Sequence, residues 1–564
     1  MQRVRANAAA PSSARSRSPA PVGLPPLVRS WLSDWAWGKK SAIGIDNDAS
    51  AYCETHRNSR TDARIKRLAA TKSNPQNAER VVESIVPVDT AFQPHEIKDS
   101  SVQWVLLPDV TFDWLQTNYP RQFQIHMGAA RGGVQEFWEK LRGTPSGRAM
   151  WGLHPWLRGK SPGDLRYHVP LAMFDDDGPI SNLSSAYVRQ FYSVLGTGSD
   201  KETRYLLSTG ISGSPLPDES WLALMPSFEK LASPRAEGLW GGVLIFFCAD
   251  LDYVCNTFGL PHFNAENCCS LCLANNSTRP HNNHSSSAGW KGTEVDNVTF
   301  KARLRRPLHP CVAHPWFGVF TYRHDLLHMA DHHGIASHIC ANILWAHLSS
   351  EREGAALPGG TMDERLDFLN SDVRAFYSMN DVQNRLPSFK EDNIKGGDWP
   401  ELRGNNVKAA NTRAFVPYCL ALQKRAVELV PSTKNKHMLK VVEALHTIFD
   451  IVYSAPCFLS SESRALLAQT CAKLGRHYQW LSVDAFREGK MRWHTVPKFH
   501  FVVAHLAQQA ELINPRWVQG YASESMVGTT SDIYAMCQSG PFHATVQKVV
   551  LTKYRVGLKL LMER

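Results

Sequence analysis

Long apolar runs are absent from this sequence, which argues against a membrane-embedded protein. The longest apolar stretch, Leu239 to Cys248, falls far short of the roughly eighteen residues that a transmembrane helix needs. A hydrophobic signal peptide is absent as well. The 12 cysteines are therefore expected to be reduced thiols in a cytosolic or nuclear setting, and no membrane partner is expected.

Compact hydrolase motifs are absent too. The chain has 23 histidines but no His-Glu-x-x-His pattern. A metal-dependent hydrolase of another fold would have to be assembled from scattered side chains such as His309, His314, His332 and His333, which makes it the weaker hypothesis. The N-terminal part also lacks a helix-turn-helix pattern and a complete zinc finger, two common modules for reading DNA sequence.

The composition that is present belongs to a globular protein, with 43% hydrophobic and 20% charged residues. At 564 residues the chain exceeds what one hydrophobic core usually supports, so two or three structural units are expected. The net charge of +10 permits a polyanionic partner without demonstrating one.

Composition and pattern divide the chain into five parts. Residues 1–30 contain five arginines and no acid, which is typical of a disordered basic tail, although a transit peptide or a DNA-contacting arm has the same composition. Residues 31–160 are rich in tryptophan and receive no role. Residues 161–260 hold the predicted core strands. Residues 261–490 form an insertion made of a polar Cys/His loop and a helical domain, and residues 491–564 supply C-terminal helices that complete the core.

Strand patterns begin at His168. The apolar run His168–Phe174 and the runs Ala186–Leu195 and Thr203–Ser208 are separated by turn-forming residues, so three strands are predicted. Helical spacing over Trp221–Leu231 is followed by the buried strand Gly242–Phe247. Three strands, a helix and a buried strand form the opening order of the RNase H fold.

After Asp325 the pattern is mostly helical, because apolar residues recur at three- and four-residue spacing. The helical segments are Met362–Tyr377, Val407–Leu429, Lys436–Tyr453, Ser461–Leu481, Thr495–Leu512 and Glu524–Met562. The predicted fold class is therefore α/β plus α: an RNase H-like mixed sheet core, a polar Cys/His loop, and a large all-helical insertion before the last helix of the core.

Acidic residues follow two of the predicted strands directly. Asp176 ends the first strand and Asp250 follows the buried strand. Acids at the ends of neighbouring strands meet at one sheet edge. Phosphodiester cleavage by two divalent metals requires several carboxylates at one place, and Mg²⁺ prefers such hard oxygen ligands. A third acid from a late helix would complete such a site.

Six short motifs succeed one another along the chain in four blocks. They are Asp175-Asp176-Asp177-Gly178-Pro179, then Asp250-Leu251-Asp252 with Leu260-Pro261-His262-Phe263-Asn264 and Cys269-Ser270-Leu271-Cys272, then Asp325-Leu326-Leu327-His328, and last Ser523-Glu524-Ser525-Met526-Val527-Gly528. From about His154 to Met562 the chain resembles the DDE transposases of the CACTA and Plavaka type and the related transposase-like proteins of protists. Those proteins carry Gly-Asp-Gly-x-Pro, Gly-Asp-Leu-Asp/Glu, Asp-x-x-His and Asp-Glu-Asp-x-x-Gly at the corresponding places.

The resemblance implies a catalytic triad of Asp176, Asp250 and Glu524 that binds two Mg²⁺ or Mn²⁺ ions. Because three aspartates stand in a row, Asp175 and Asp177 remain alternatives for the first acid. Asp252, two positions after Asp250, remains an alternative for the second acid. The Asp-x-x-His motif, Asp325 with His328, is expected to shape the site. The chain departs from the family's pattern at Ala249, Ser523 and Ser525, where relatives carry glycine or acids.

A structural zinc site is expected from the Cys-x-x-Cys of Cys269 and Cys272, which supplies half of a tetrahedral ligand set. The candidates for the other half are His281 with His284, Cys311 with His314, or His500 with His505. CACTA-like and Transib-like transposases and the related V(D)J recombinase pair such a motif with two histidines shortly before the catalytic Glu. The resemblance therefore favours His500 and His505.

The function that the resemblance implies is cleavage and transfer of DNA strands. It further implies double-stranded DNA at transposon ends as the partner, homo-oligomers, and a nuclear location. The alternative is a domesticated or decayed transposase that binds DNA or chromatin without cutting it.

Overall fold

The chain divides into two units, Met1–Pro87 and Val88–Arg564. The computed structural model describes residues 24–55, 63–69, 81–82, 84–98, 101–181, 184–212, 219–262, 264–351, 353–354, 356–404, 406–537 and 543–564. Most of the predicted basic tail lies outside the described residues. In the first unit the structure has helices α1 Pro26–Ala36, α2 Ala42–Thr55 and α3 Ala63–Ala69.

A mixed five-stranded sheet forms the centre of the second unit. Its strands are β3 His168–Ser181, β4 Ser184–Ser193, β5 Tyr205–Ile211, β6 Gly241–Ala249 and β7 Tyr322–His324, and a separate hairpin pairs β1 His95–Lys98 with β2 Val102–Val105. The order across the sheet is β5-β4-β3-β6-β7. β4 pairs antiparallel with both β3 and β5. β6 pairs parallel with β3, and β7 pairs parallel with β6. Parallel addition needs crossovers, which place helices on the faces of the sheet.

Helices surround the sheet and extend beyond it. In chain order they are α4 Pro108–Asn118, α5 Pro120–His126, α6 Arg131–Gly143, α7 Pro145–Leu153, α8 Asp200–Thr203, α9 Ser220–Ala232, α10 Leu251–Phe258, α11 Asn297–Ala302, α12 Pro310–Ala313, α13 Ile335–Leu348, α14 Met362–Met379, α15 Glu391–Lys395, α16 Ala409–Leu429, α17 Thr433–Ser454, α18 Ser461–Arg487, α19 Pro497–His500, α20 Leu506–Gln509, α21 Tyr521–Ala535 and α22 His543–Met562. Among the described residues no helix is long and apolar enough to cross a membrane.

Local sequence explains where the long helices begin. The Thr361 side chain accepts a hydrogen bond from the Glu364 amide, and the Glu364 side chain accepts one from the Thr361 amide. This capping box starts α14. Ser432 and Ser460 cap α17 and α18 by accepting from backbone amides. These caps satisfy amides that have no partner inside the helix, so each helix starts at a defined residue.

The mixed α/β fold class is present, and four of the six helical segments expected after Asp325 are single helices, α14, α16, α17 and α18. The strand β7 was missed, because three residues carry no period and the strand exists only by pairing with β6. The segment expected as one helix over Glu524–Met562 is two, α21 and α22. The segment expected over Thr495–Leu512 contains a π turn, Phe501–His505.

Close packing between β3 and α21 requires glycine at position 178. A Cβ atom there would run into the Ser531 side chain and would lie 2.9 Å from Val527 Cγ1. The helix therefore lies directly on the strand, and this contact brings the C-terminal part of the chain against the end of β3.

A buried ion pair joins β3 to β4. Arg189 Nε donates to Asp175 Oδ2 at 2.8 Å, and both side chains are fully buried. The guanidinium group also donates to the hydroxyls of Ser208 and Ser220 and lies 4.1 Å from the centre of the Trp221 ring. Because the carboxylate and the guanidinium compensate each other, neither is left as an unpaired charge in the core.

Arg189→Met is expected to destabilise the protein by about 3–5 kcal/mol, because it leaves the Asp175 carboxylate buried without its counter-ion. The double variant Asp175→Asn with Arg189→Met is expected to recover part of this loss. Arg374→Met, on the exposed face of α14, is the control and is expected to cost under about 0.5 kcal/mol. Urea unfolding followed by circular dichroism measures all three, and an unchanged midpoint for Arg189→Met would contradict the prediction.

Candidate functional site

Three acids lie side by side where the parallel pairing of three neighbouring strands ends. The sequence predicted that Asp176 ends the first strand, but β3 continues past it to Ser181, because its antiparallel pairing with β4 extends further than its pairing with β6. In the parallel pairing of β3 with β6, Asp175 is opposite Ala249, so Asp176 and Asp250 each follow by one position. In the pairing of β6 with β7, Ala249 is opposite His324, so Asp325 takes the same place on the third strand. Strand register thus concentrates Asp176, Asp250 and Asp325 at one sheet edge.

Asp325 is fully buried and surrounded by donors. Its carboxylate accepts from the amide of Gly520 at 2.7 Å, from the amide of Leu327 at 3.1 Å and from Nδ1 of His328 at 2.7 Å. A Cβ on Gly520 would come within 2.5 Å of this carboxylate, so glycine permits the approach. With its oxygens engaged, Asp325 ties the start of α21 to His328.

Glu524 comes from the first turn of α21 and meets Asp176 and His328. One ligand atom from each of these three side chains lies within 4.8 Å of the others. The Nε2 atom of His328 is 3.7 Å from Glu524 Oε1. Asp250 lies close enough to raise the pKa of both Asp176 and Glu524, but its carboxylate is outside this 4.8 Å group. The Asp250 side chain accepts instead from the Leu251 amide at 2.6 Å.

Crowding of carboxyl groups controls the charge of this acid site. Burial raises the pKa of Asp176 well above its usual value, and contact with Glu524 raises it further. Burial raises the pKa of Glu524 to about 7, assisted by the charges of Asp325 and Asp250. Burial lowers the pKa of His328, but the hydrogen bond to Asp325 and the surrounding acids outweigh it and bring the pKa to about 9. His328 is therefore a cation at neutral pH, and it balances part of the negative charge.

The neighbouring aspartates are placed differently from Asp176. Asp175 is on the opposite face of β3, where it pairs with Arg189. Asp177 is partly exposed, accepts from the Ser212 hydroxyl at 2.7 Å, and has a pKa raised by burial. Asp252 is exposed on α10. Of the three consecutive aspartates, Asp176 alone is among the acids grouped with Glu524.

A second cluster contains the two cysteines and two histidines that the sequence singled out. Cys269 Sγ lies 3.2 Å from His505 Nε2, and Cys272 Sγ lies 3.4 Å from His500 Nε2. All four side chains are buried, and one ligand atom from each lies within 4.8 Å of the others. The cluster could hold a metal ion such as zinc.

The π turn between the histidines explains how both reach the thiols. In a regular α-helix two residues five apart point about 140° away from each other. Hydrogen bonds in a π turn span five residues, which stacks His500 and His505 on one face. Gln508 Oε1 is 3.0 Å from His505 Nδ1, the kind of contact that orients a metal-binding imidazole.

The donor set fits a soft, tetrahedrally coordinated ion. Burial, followed by the neighbouring His505, holds the pKa of His500 well below its usual value, so its ring is neutral and able to bind metal. The adjoining Cys269 thiol and burial raise the pKa of Cys272, and a cation is what would stabilise its thiolate. The alternative ligand pairs His281 with His284 and Cys311 with His314 are not part of this group.

A third network, around Asp331, was missed by sequence reasoning. Asp331 Oδ2 accepts from Arg413 of α16 at 3.0 Å, from Tyr453 of α17 at 3.1 Å and from Tyr521 of α21 at 2.5 Å. Burial raises the pKa of Asp331 to about 6, and Arg413 opposes this. The fully buried carboxylate thus joins two insertion helices to the helix that carries Glu524. No local pattern marks partners that are so far apart in sequence.

No protein-family model matches the chain, and no curated protein matches it either.

Stability is expected to fall as pH rises from about 4.5 to about 7. The pKa of Glu524 is raised in the folded state, so folding retains a proton that the unfolded chain releases in this window. This contribution is fully present below about pH 4.5 and is lost above about pH 7. His328, whose folded pKa is also raised, adds a further loss between about pH 6.5 and 9.

Glu524→Gln removes the carboxyl group and is expected to flatten the lower part of this profile, so that the variant melts above the parent at pH 8 and near it at pH 4.5. Thermal melting with EDTA present measures the difference. Glu428→Gln, exposed on α16, is the matched control. Parallel profiles for Glu524→Gln and the parent would contradict the prediction.

The purified protein is expected to carry one tightly bound metal ion such as zinc, and Cys272→Ser is expected to lose it because a hydroxyl replaces a thiolate ligand. Cys268→Ser changes the adjacent buried cysteine, which is outside the cluster, and is expected to retain the ion. Elemental analysis of both variants checks this. Retention by Cys272→Ser, or loss from Cys268→Ser, would contradict the assignment of ligands.

Proposed function

We propose that this chain is a DDE-type DNA transposase or recombinase with an RNase H-like core, which cleaves and transfers DNA strands. The observation that carries the proposal is the meeting of Asp176, His328 and Glu524 at the sheet edge where Asp250 also lies. Their sequence positions are those that resemble the family's motifs. The partner would be double-stranded DNA at the ends of a mobile element, handled by a homo-oligomer in the nucleus.

The strand order supports this proposal. An RNase H-like core is expected to have three antiparallel strands followed by two parallel ones, and the order β5-β4-β3-β6-β7 agrees with that expectation. The acids in such a core stand on the first strand and directly after the fourth, and the corresponding residues here are Asp176, within β3, and Asp250, which follows β6. The third acid comes from a C-terminal helix lying on the first strand, which here is α21.

The acids suit hard divalent cations, which need several oxygen ligands. Asp176 and Glu524 would hold Mg²⁺ or Mn²⁺ together with Asp250, whose side chain would turn from its contact with Leu251. When bound, two such ions activate the attacking oxygen and stabilise the leaving oxygen. Asp325 would hold His328 in place, and the His328 imidazolium would offset the negative charge of the acids and a phosphate.

The Cys/His cluster has a consistent role in this proposal. Zinc bound by Cys269, Cys272, His500 and His505 would tie the loop after α10 to the segment before α21. That segment leads to Glu524, so a structural zinc would limit how far the third acid can move. The cluster would then serve the position of the acid site and take no part in strand cleavage.

The alternative is a domesticated or decayed transposase that binds DNA without cutting it. The feature that favours it is the placement of Asp250, whose carboxylate caps α10 and is outside the 4.8 Å group of ligand atoms. Ser523 and Ser525 also replace flanking acids of the family's pattern. The two candidate functions share a fold and DNA binding, and they differ in whether the protein cleaves DNA.

Asp176→Asn, Asp250→Asn and Glu524→Gln are each expected to abolish Mg²⁺- or Mn²⁺-dependent nicking of supercoiled DNA while DNA binding persists, because each removes a charged oxygen ligand. Gel assays of nicking and of mobility measure the two steps separately. Asp252→Asn, exposed two positions after Asp250, is the control and is expected to cut normally.

Three outcomes would count against parts of this proposal. A parent protein that binds DNA and never nicks it would favour the non-catalytic alternative. Undiminished cutting by Asp250→Asn would remove that residue from the triad. Loss of cutting in Asp177→Asn but not in Asp176→Asn would move the first acid by one position.

A further inference from the structure

A groove of about 570 Å³ opens beside the acid site. Its lining includes His332, His333, Arg403 and Lys408. The ring centres of His328 and His332 are 5.7 Å apart, and those of His332 and His333 are 4.6 Å apart. The groove therefore begins one side chain away from the acids. Its volume falls within the roughly 300–1,000 Å³ of ordinary ligand clefts.

Cations outnumber anions around this groove. Glu401 is the one carboxylate among the residues that line it. Its oxygens are already engaged, by Arg403 Nη2 at 2.9 Å and by His333 Nδ1 at 3.2 Å. Lys408 adds an exposed ammonium group at the start of α16, and no described carboxylate forms an ion pair with it. A negatively charged ligand would meet an excess of positive charge there.

Lys498 stands between the groove and the acid site. Its Nζ atom donates to the carbonyl of His333 at 3.0 Å. The amine also lies close enough to Asp250, Glu401 and Asp325 to interact with their charges. The amine's own charge can attract an anion that extends from the groove to the acids.

The wall of the groove is held in an uncommon backbone conformation. His333 has φ of 45°, in the left-handed region that side chains other than glycine rarely adopt. The next residue is Gly334, where a Cβ would lie 2.5 Å from the carbonyl carbon of Ala330. This tight turn aims the His333 carbonyl at Lys498 while Glu401 fixes its ring. Such outliers persist where surrounding contacts over-determine them, often at ligand sites.

We infer that the groove binds the phosphodiester backbone of the DNA strand whose phosphate reaches Asp176 and Glu524, an inference that rests on the proposed function. Lys408 and Lys498 supply the charge that phosphates require. His332 supplies a hydrogen-bonding ring, kept neutral because burial and its histidine neighbours lower its pKa to about 4. Contacts of this kind position a strand without reading its sequence.

Lys408→Gln is expected to lower the slope of log K against log salt by about 0.9, because one phosphate contact and its released counterion are lost. Lys424→Gln is the matched control: it removes an exposed lysine of the same helix, about 24 Å further along, and is expected to leave the slope unchanged. Both changes are made in the Asp250→Asn protein, so that cutting does not interfere. Fluorescence anisotropy with a short duplex of arbitrary sequence, between about 50 and 200 mM salt, gives the slopes.

The salt slopes distinguish failure of the groove from failure of the proposed function. A reduced slope for Lys408→Gln alone supports the groove, and Lys498→Gln is then expected to reduce it again. Equal slopes for Lys408→Gln, Lys424→Gln and the unsubstituted background overturn the groove while the proposed function stands. If the Asp250→Asn protein binds no DNA, the groove and the proposed function both fall. If it binds with the expected slopes but the parent never nicks DNA, the groove stands and the catalytic proposal falls.

Discussion

Repulsion among four carboxyl groups is the constraint on which this end of the molecule depends. Asp176, Asp250, Asp325 and Glu524 converge where the parallel pairing of β3, β6 and β7 ends, and burial raises the free energy of their charged forms. The protonated His328 and the amides that donate to Asp325 stabilise these negative charges. The raised pKa values of Asp176 and Glu524 reduce the repulsion further, because a proton retained by the pair removes one negative charge.

Holding Glu524 in this crowded place requires support from distant parts of the chain. The Gly520 amide binds Asp325 at the start of α21, and Gly178 lets the helix lie on β3. Tyr521 binds Asp331, to which two insertion helices also donate. The helical insertion is therefore joined to the helix that carries Glu524 through a buried carboxylate.

The Cys/His cluster and the acid site are linked by the same stretch of chain. His500 and His505 precede α21, whose first turn carries Glu524. Lys498, two residues before His500, lies between the groove and the acids. One segment thus contributes to the Cys/His cluster, to the groove and to the placement of an acid, so a change in its backbone conformation would alter all three.

Much of the secondary structure was determined by the sequence itself, because hydrophobic period and helix caps act over a few residues. The strands β3 to β6 and the long helices α14 and α16 to α18 follow from such local signals, as does the place of Asp250 directly after β6. Tertiary structure alone decided which histidines meet Cys269 and Cys272, since several pairs satisfied the spacing. It alone decided that Asp175 faces Arg189 while Asp176 faces α21, since strand alternation separates two faces without saying what covers either. The strand β7 and the Asp331 network likewise exist only through partners distant in sequence, and no local pattern records a contact whose energy comes from folding those partners together.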